Sequence, residues 1–555
     1  MKVIKNFLGL ILLFTFSFHL TQVTACTNFI VGKKASVDGS VMVTYNADSY
    51  GMYGNMYRHV GGTHQKGEMR KVIEWDTNKY LGEIPQAEVT YNVVGQMNEN
   101  QVSVTETTFG GREELMDSTG IVDYGSLIYI SLERSKTARE ALKVITTLAE
   151  KYGFCSAGET YSICDKNEVW LLEMMGKGPG GKGAVWAAVR VPDDCITGHA
   201  NQSRITKFLK LYPKQDVLYS KDCIKFAREK GYFKGKDENF SFRDAYAPCD
   251  FGANRVCEAR VWSFFRRHTD GMDQYLPYVS GKDQAHMNDE MPLYIRPNHK
   301  LTLQDMMAGM RDHYEDTPFD IRNDVGAGAY QMPYRPTPLY PKVKDAEGKE
   351  IEVFHERPVS TQQSGFGYVG QMRGWLPDEI GGVVWWTNDD PNMAPYVPVF
   401  CGVNEIPKCF VRVEGQQDEV TFSWESAFWL QNMVANMVYP YYNKMFPDLK
   451  QFRDKLENSY FELVQNVTPE QLQGTNVRNE LTTLSLYCAN TMMQGWTMLH
   501  KYLVVRHNDM IIKGVNEKGE FLRNKQGLAG KAKKPGYSQE FWEKILKETG
   551  DRYKK

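Results

Sequence analysis

Cys26 is the residue from which chemistry can first be argued. It heads the run Cys26-Thr27-Asn28-Phe29-Ile30-Val31-Gly32, which follows a leader-like segment ending in Val23-Thr24-Ala25. Cleavage after Ala25 puts a thiol and a free α-amine on one carbon. A thiol becomes a nucleophile when a neighbouring base removes its proton. An α-amine, with a reference pKa of about 7.7–8.0, can be that base near neutral pH. One processed terminus then supplies nucleophile and proton acceptor together, which is what attack on an amide carbonyl requires. Two acids are candidates to assist. Asp48 ends a strand whose hairpin partner starts beside Cys26, so its carboxylate could hold or orient the amine. Glu106, on a later strand, could bind a substrate ammonium. Each also reads as an ordinary polar strand residue. His199 is a tempting base, but no His/Asp pairing is visible in sequence, and an N-terminal nucleophile does not need one.

The leader sets the expected compartment. Lys2 and Lys5 precede an apolar stretch over 7–18, and Val23-Thr24-Ala25 is a small-residue cleavage site, so 1–25 reads as a signal peptide. The apolar run is shorter than the roughly 20 residues of a membrane span. An exported product, periplasmic or extracellular, is expected. The same residues also fit, loosely, a lipoprotein acylation site, which would anchor the chain at the cell envelope through Cys26 and block its sulfur. A tethered lipoprotein usually continues into a flexible polar stalk, whereas here the cysteine enters Phe29-Ile30-Val31 at once.

Composition removes other classes. The chain has 66 basic and 68 acidic residues, without the basic excess of a nucleic-acid binder. Aromatic content is 12%, spread throughout, which argues against long disorder. Of the ten cysteines none forms a Cys-x-x-Cys pair, so a structural zinc site is not expected. In an oxidising compartment Cys155–Cys164, Cys249–Cys257 and Cys401–Cys409 are candidate local bridges; the alternative is a set of buried thiols. Residues 176–183, Gly-Lys-Gly-Pro-Gly-Gly-Lys-Gly, nearly spell a phosphate loop. Gly183 stands where Ser or Thr is needed and a strand follows, so a hairpin loop is expected.

These residues need strands to hold them. Residues 27–31 and 40–45 read as a hairpin around an Asp-Gly turn. Residues 88–94 and 102–108 read as a second pair, and 160–163, 168–174 and 184–191 as further strands. An amphipathic helix is expected over 137–152, with other helices over 222–230, 303–313, 424–444 and 477–506. Strands are expected again at 354–359, 366–371, 382–387 and 419–422. The outcome is an α+β protein in an αββα arrangement, two sheets face to face with helices outside. No Pro/Ser-rich linker divides the mature chain. One catalytic core over 26–410 is expected, then a closing strand and helical additions over 411–506. A mostly solvated tail with one short helix fills 507–555.

Motifs in order along the chain now carry a resemblance. Cys26-Thr27-Asn28 with Val31-Gly32, Ala35-Ser36, Asp38-Gly39-Ser40 and Asn46-Ala47-Asp48-Ser49 resemble the opening of the C69 family of cysteine dipeptidases. These are N-terminal-nucleophile hydrolases, distantly related to penicillin V acylases and bile-salt hydrolases. Met97-Asn98-Glu99, Ala200-Asn201-Gln202-Ser203-Arg204-Ile205, Arg260-Val261-Trp262, Gln371-Met372-Arg373 with Leu376-Pro377, and Gly381-Gly382-Val383-Val384-Trp385 continue it. The resemblance implies a four-layer αββα fold and hydrolysis of dipeptides with a free amino end, without metal or cofactor. It implies that Cys26 is the nucleophile, that Asp48 acts at its amine, and that the Asn201 side chain donates to the oxyanion. A second donor is implied in the backbone near Thr107 and Thr108, and Arg260 is implied near the nucleophile, with a structural ion pair as its alternative. Many relatives carry Arg where this chain has Tyr45; Asn46 is then a substitute donor. Acyl amidase activity, as in the distant relatives, and a non-catalytic lipoprotein remain the competing readings. Self-association into a homo-oligomer is left open.

Overall fold

The computed structural model describes residues 26–555; the expected leader, 1–25, lies outside the described residues. The principal strands in chain order are β1 (Asn28–Val31), β2 (Val41–Asp48), β3 (Ser103–Gly110), β4 (Gly158–Cys164) and β5 (Val169–Gly176). They continue as β6 (Ala184–Val191), β7 (Ile196–His199), β8 (Ser364–Met372), β9 (Gly382–Asn388) and β10 (Val397–Phe400). The helices used below are α1 (Tyr124–Arg134), α2 (Ala138–Tyr152), α3 (Ala259–His268), α4 (Leu303–Gly309) and α5 (Ala427–Val438). After them come α6 (Tyr442–Asn466), α7 (Val477–His507) and α8 (Gln539–Thr549).

Every residue of β1 and β2 is buried, and strands covered on both faces belong in a sheet's interior. They lie there. The first sheet runs Tyr294–Ile295, β7, β1, β2, β8, β9, β10. The second runs Val217–Tyr219, β6, β5, β4, β3, Met97–Asn98, Val93–Val94, Arg58–His59. Pairing within both is antiparallel.

Alternation along β5 gives the second sheet its two sides. Val169, Leu171 and Met175 join a core with Phe29 and Ile30 of β1. Trp170, Leu172 and Met174 join a separate cluster with Leu127 and Ile128 of α1 and Leu142 and Ile145 of α2. A period of two sends successive side chains to opposite faces, so helices cover one face and the first sheet meets the other. Hydrogen bonds cross between the sheets: Ser103 Oγ lies 2.8 Å from Tyr368 Oη, and Asn28 Nδ2 donates to the Glu106 carbonyl at 2.7 Å. Beyond the first sheet, Phe29 stacks on Phe264 of α3 with centroids 4.1 Å apart. Helices α4 to α7 pack against β2, β8, β9 and β10. The fold is α+β.

The expected hairpin at 27–45, the strands at 160–191 and those at 366–387 all form, and α2 starts after Thr137, whose hydroxyl caps it. The near phosphate loop closes a hairpin, Gly176 facing Ala184. Other expectations are corrected. Residues 88–94 do not pair with 102–108: Met97–Asn98 intervenes, pairs with Val93–Val94 and meets β3 only at Ser103. Residues 354–359 are not a strand. Pro358 has no N–H to give, and the Val353 and His355 amides go to the Pro341 and Leu339 carbonyls of an irregular segment. Residues 419–422 form a tight turn, with Asp418 and Thr421 exchanging backbone bonds at 3.3 Å. The helix expected over 424–444 breaks at Tyr439–Tyr441, where Pro440 sits, and a separate α6 continues to Asn466. Helix α1 was not expected at all.

The three candidate disulfides are also corrected, since all ten cysteines are free thiols. Their local surroundings hold them apart: Cys401 donates to the Asp378 carbonyl at 3.4 Å, Cys249 lies 4.0 Å from the Tyr278 hydroxyl, and Cys164 is fully buried in β4. Among the described residues no helix is long and apolar enough to cross a membrane.

Candidate active site

Cys26 sits immediately before the central strand. Thr27 and Asn46 exchange backbone hydrogen bonds of 3.1 and 3.0 Å, which fixes the start of β1 against the end of β2. That register carries Asp48 back toward Cys26, close enough for its backbone to favour the thiolate and its carboxylate to oppose it. Cys26 is only 5% exposed. Its thiol lies 3.9 Å from the Tyr45 hydroxyl, which in turn donates to Glu106 Oε1. Burial pushes the thiol well above its ordinary range, and the Glu106 and Asp48 carboxylates push it the same way. A thiol so placed stays protonated until a base takes its proton. Tyr45 provides a link to an acid rather than a cation for a thiolate.

The Asp48 side chain turns the other way. It accepts from Arg357 Nη2 and from Ser364 Oγ, each at 2.5 Å, and both charged groups are buried. Burial raises the Asp48 carboxyl, while Arg357 and Ser364 oppose that rise. Asn46 spends its side-chain N–H groups on the Met310 and Val359 carbonyls, at 3.2 and 3.4 Å.

Asn201 follows β7 with a left-handed backbone, φ 62°, a conformation asparagine tolerates better than most residues. Its backbone N–H donates to Thr107 Oγ1 at 3.2 Å and its Nδ2 to the Thr108 carbonyl at 2.7 Å. Arg260 fixes which end of the amide is which, because its Nη2 donates to Asn201 Oδ1 at 2.9 Å. A π-helical turn, Ala253–Glu258, leads into α3 and presents this arginine, an irregularity common at functional sites. Arg260 is wholly buried and reaches the Cys26 carbonyl at 2.7 Å, Thr27 Oγ1 at 2.8 Å and the Ala200 carbonyl at 3.0 Å. Its partners are oxygens of neutral groups, so the ion-pair alternative is replaced by a clamp joining the Cys26 and Asn201 segments.

Glu173, which no motif singled out, holds the segment after Asn201, with Arg204, Glu258 and His199 around it. Glu173 accepts from the Arg204 and Ile205 amides at 2.5 and 3.1 Å, and burial raises its carboxyl to about 7. Arg204 Nε pairs with Glu258 at 2.9 Å, both buried. His199 has a hydroxyl on each ring nitrogen, Thr107 and Ser162, both at 2.7 Å. Burial, with Arg204 nearby, lowers it to about 3. It is a neutral fastener between the sheets.

The contacts close a chain. Thr108 Oγ1 donates to Glu159 Oε1 at 2.7 Å, Glu159 contacts Glu106, and Glu106 leads through Tyr45 to Cys26. Thus Arg260, Asn201, Thr108, Glu159, Glu106, Tyr45 and Cys26 form one connected set. Thr108 and Asn201 are its half-buried, outward members. Glu159, a member of this set, and Arg357, which holds Asp48, are the residues sequence reasoning missed. The widest surface grooves, about 1180 and 540 Å³, are lined by other residues.

Two facing antiparallel sheets, helical cladding and a buried thiol among converging donors and acids define an α+β enzyme. The model of Peptidase family C69 matches residues 25–68 and 61–455. The chain belongs to Peptidase family C69 and is a peptidase. Among curated relatives, a "Probable dipeptidase" of Salmonella dublin is 25% identical over 406 residues, covering 69% of this chain and 82% of that protein. A "Dipeptidase" of Bifidobacterium longum is 25% identical over 448 residues, covering 74% and 76%. "Dipeptidase A" of Lactobacillus helveticus is 22% identical over 435 residues, covering 75% and 82%.

Proposed function

We propose that this peptidase is an exported dipeptidase whose mature chain begins at Cys26, with the four-layer architecture of the N-terminal-nucleophile hydrolases. The observation that carries the reading is the Arg260 clamp. One buried guanidinium binds both the Cys26 carbonyl and the Asn201 amide oxygen, so nucleophile and oxyanion donor are held in one frame. The family match beginning at residue 25 supports processing there.

In this reading the Cys26 α-amine takes the thiol proton, directly or through one water, and the sulfur attacks the scissile carbonyl. Asn201 Nδ2 and a backbone amide near Thr107 and Thr108 receive the oxyanion. The amine protonates the departing amino acid, leaving a thioester that water, activated by the same amine, hydrolyses. Asp48, fixed by Arg357, orients the terminus through its backbone. Glu106 faces the substrate's amino end. Residues 26–410 are the catalytic core, 411–506 support it and 507–555 are a tail.

A lipid on Cys26 would have to displace Tyr45 from the sulfur, which speaks against the lipoprotein reading. The test combines intact mass and N-terminal sequencing of the native protein with assays on free dipeptides and N-acyl amides. A terminus at unmodified Cys26 and turnover of free dipeptides are expected. A diacylglyceryl mass on that residue, or hydrolysis confined to N-acyl compounds, would sink it.

A further inference from the structure

We infer that Glu159, together with Glu106, receives the α-ammonium group of the substrate, and so sets the requirement for a free amino end. The inference rests on the reading of Cys26 as nucleophile and deepens it.

In the β3–β4 ladder Glu106 faces Tyr161 and Thr108 faces Glu159, so the two glutamates are diagonal neighbours on one face, within reach of each other. Their exposures are 1% and 0%. One oxygen of each is engaged, Glu106 Oε1 by Tyr45 and Glu159 Oε1 by Thr108. The other two, Glu106 Oε2 and Glu159 Oε2, are buried and have no donor. Several interior acids have cations: Asp48 has Arg357, Glu258 has Arg204, Glu356 has Arg255 and Glu457 has Arg311. Glu173, which has none among the described residues, takes two backbone amides and the Ser203 hydroxyl instead. Among the described residues no Arg, Lys or His side chain is paired with Glu106 or Glu159.

Two buried carboxylates without a cation repel each other and lose hydration, so the empty pair holds a proton between them. Burial raises both groups; Glu106 raises Glu159 further, while the hydrogen bond from Glu159 opposes the rise of Glu106, which puts the proton on Glu159. A primary ammonium brings three N–H donors and one positive charge. It can donate to both free oxygens while the shared proton leaves to solvent, and the buried charge does not change.

Distance selects the α-amine. The Tyr45 hydroxyl, 3.9 Å from the Cys26 sulfur, donates to Glu106 Oε1, so one hydroxyl separates carboxyl and sulfur. In a peptide with a free amino end the nitrogen is two bonds from the scissile carbonyl carbon, about 2.5 Å. When the sulfur is on that carbon, the ammonium lies within reach of a carboxyl one hydroxyl away from the sulfur. An N-acylated substrate brings no charge there and leaves both carboxyls without a donor. Tyr124 Oη donates to Asp76 Oδ1 at 2.9 Å, and the Asp76 carboxylate adds to the negative charge felt by both glutamates.

The test uses Glu159→Gln, which keeps the shape, with a cleaved dipeptide such as alanyl-alanine and its N-acetyl counterpart. KM for the free dipeptide should rise about 10- to 100-fold, as for loss of one charged hydrogen bond. kcat should change less and N-acetyl-alanyl-alanine should be processed no worse. On the unmodified enzyme, propionyl-alanine, the same skeleton without the amine, should inhibit with a constant at least ten times the dipeptide's KM; this arm decides if the variant does not fold. Unchanged KM, an equal fall in kcat on both substrates (the mark of a role at the Cys26 amine), or tight binding of propionyl-alanine would each overturn the inference. Turnover by Cys26→Ala would instead overturn the reading it rests on.

Discussion

Cys26 lies between acids that oppose its ionisation, and this decides what activates it. With Glu106 and Asp48 raising the thiol, the proposed mechanism gives its proton to the α-amine of the same residue. Cys26→Ala is therefore expected to abolish turnover while the thermal unfolding midpoint stays near the parent's, and Cys26→Ser to keep a small fraction of it. Steady-state assays alongside a melting curve check both. Asn201 permits a cleaner dissection, because glycine is at ease with its left-handed backbone. Asn201→Gly should lower kcat by about 10²–10³-fold, the usual loss for one oxyanion donor, with little effect on KM. An unaltered kcat would remove Asn201 from the mechanism. Cys26, Asp48 and Asn201 were legible because each lies in a local motif. Arg357 was not, since its partner Asp48 is 309 positions away, and a pairing across that span leaves no pattern to read. Glu159 was missed for a related reason: only the β3–β4 register brings it beside Glu106.

At the scale of elements, the strands that read correctly are those buried on both faces or held in tight hairpins, where apolar runs and Gly-rich turns agree. Residues 354–359 carry Phe354 and Val359 at their ends but His, Glu, Arg and Pro between; Pro358 has no N–H to give and the His355 amide is spent on the Leu339 carbonyl of an irregular segment. Gly32 shows how tightly β1 is seated. A Cβ there would lie 2.4 Å from the Asp193 carbonyl oxygen, a backbone atom that cannot swing aside. Gly32→Ala should cost about 1–3 kcal/mol, the range for overpacking, and lower activity, because the displaced strand carries Cys26; denaturant melts and kcat/KM measure the two effects. His199 fastens β7 to β3 and β4 in its neutral form. Lowered to about 3 in the fold from about 6.5 when unfolded, it binds fewer protons folded than unfolded between those values. Stability therefore falls as pH drops from about 6.5 toward 3. Relative to His199→Gln, the parent should lose stability progressively over that window; parallel pH profiles would remove this histidine as a cause.

At the scale of the whole molecule, the family match ends at residue 455 while the fold does not. Helix α7 lies beyond the match, yet its Ser485 Oγ accepts the Phe400 amide at 3.2 Å and its Thr482 Oγ1 the Asn404 amide at 2.9 Å. These bonds anchor it on the end of β10. It buries Leu481, Met492, Trp496, Leu499 and Leu503. Each such side chain contributes about 1.5–3 kcal/mol, and together they match the net stability of a typical domain, about 5–15 kcal/mol. The sequence made the helix legible through its apolar spacing but not its seat, which depends on β10 standing at the sheet's edge. The segment after it is different. No residue from 515 to 555 is buried, and α8 has no buried side chain. The contacts it makes inward are slight, such as Tyr537 to Tyr330 at 6.3 Å and Lys544 Nζ to the Asn323 carbonyl at 3.5 Å. Two truncations then separate support from tail. Removing 515–555 should leave kcat/KM within about twofold and shift the melting midpoint little, because exposed residues contribute little burial. Removing 477–555 should give a chain that does not fold, since it uncovers β10 and strips the buried face of α6. If the shorter deletion already abolishes folding, or the longer one leaves an active enzyme, the boundary between supporting helices and tail is wrongly drawn.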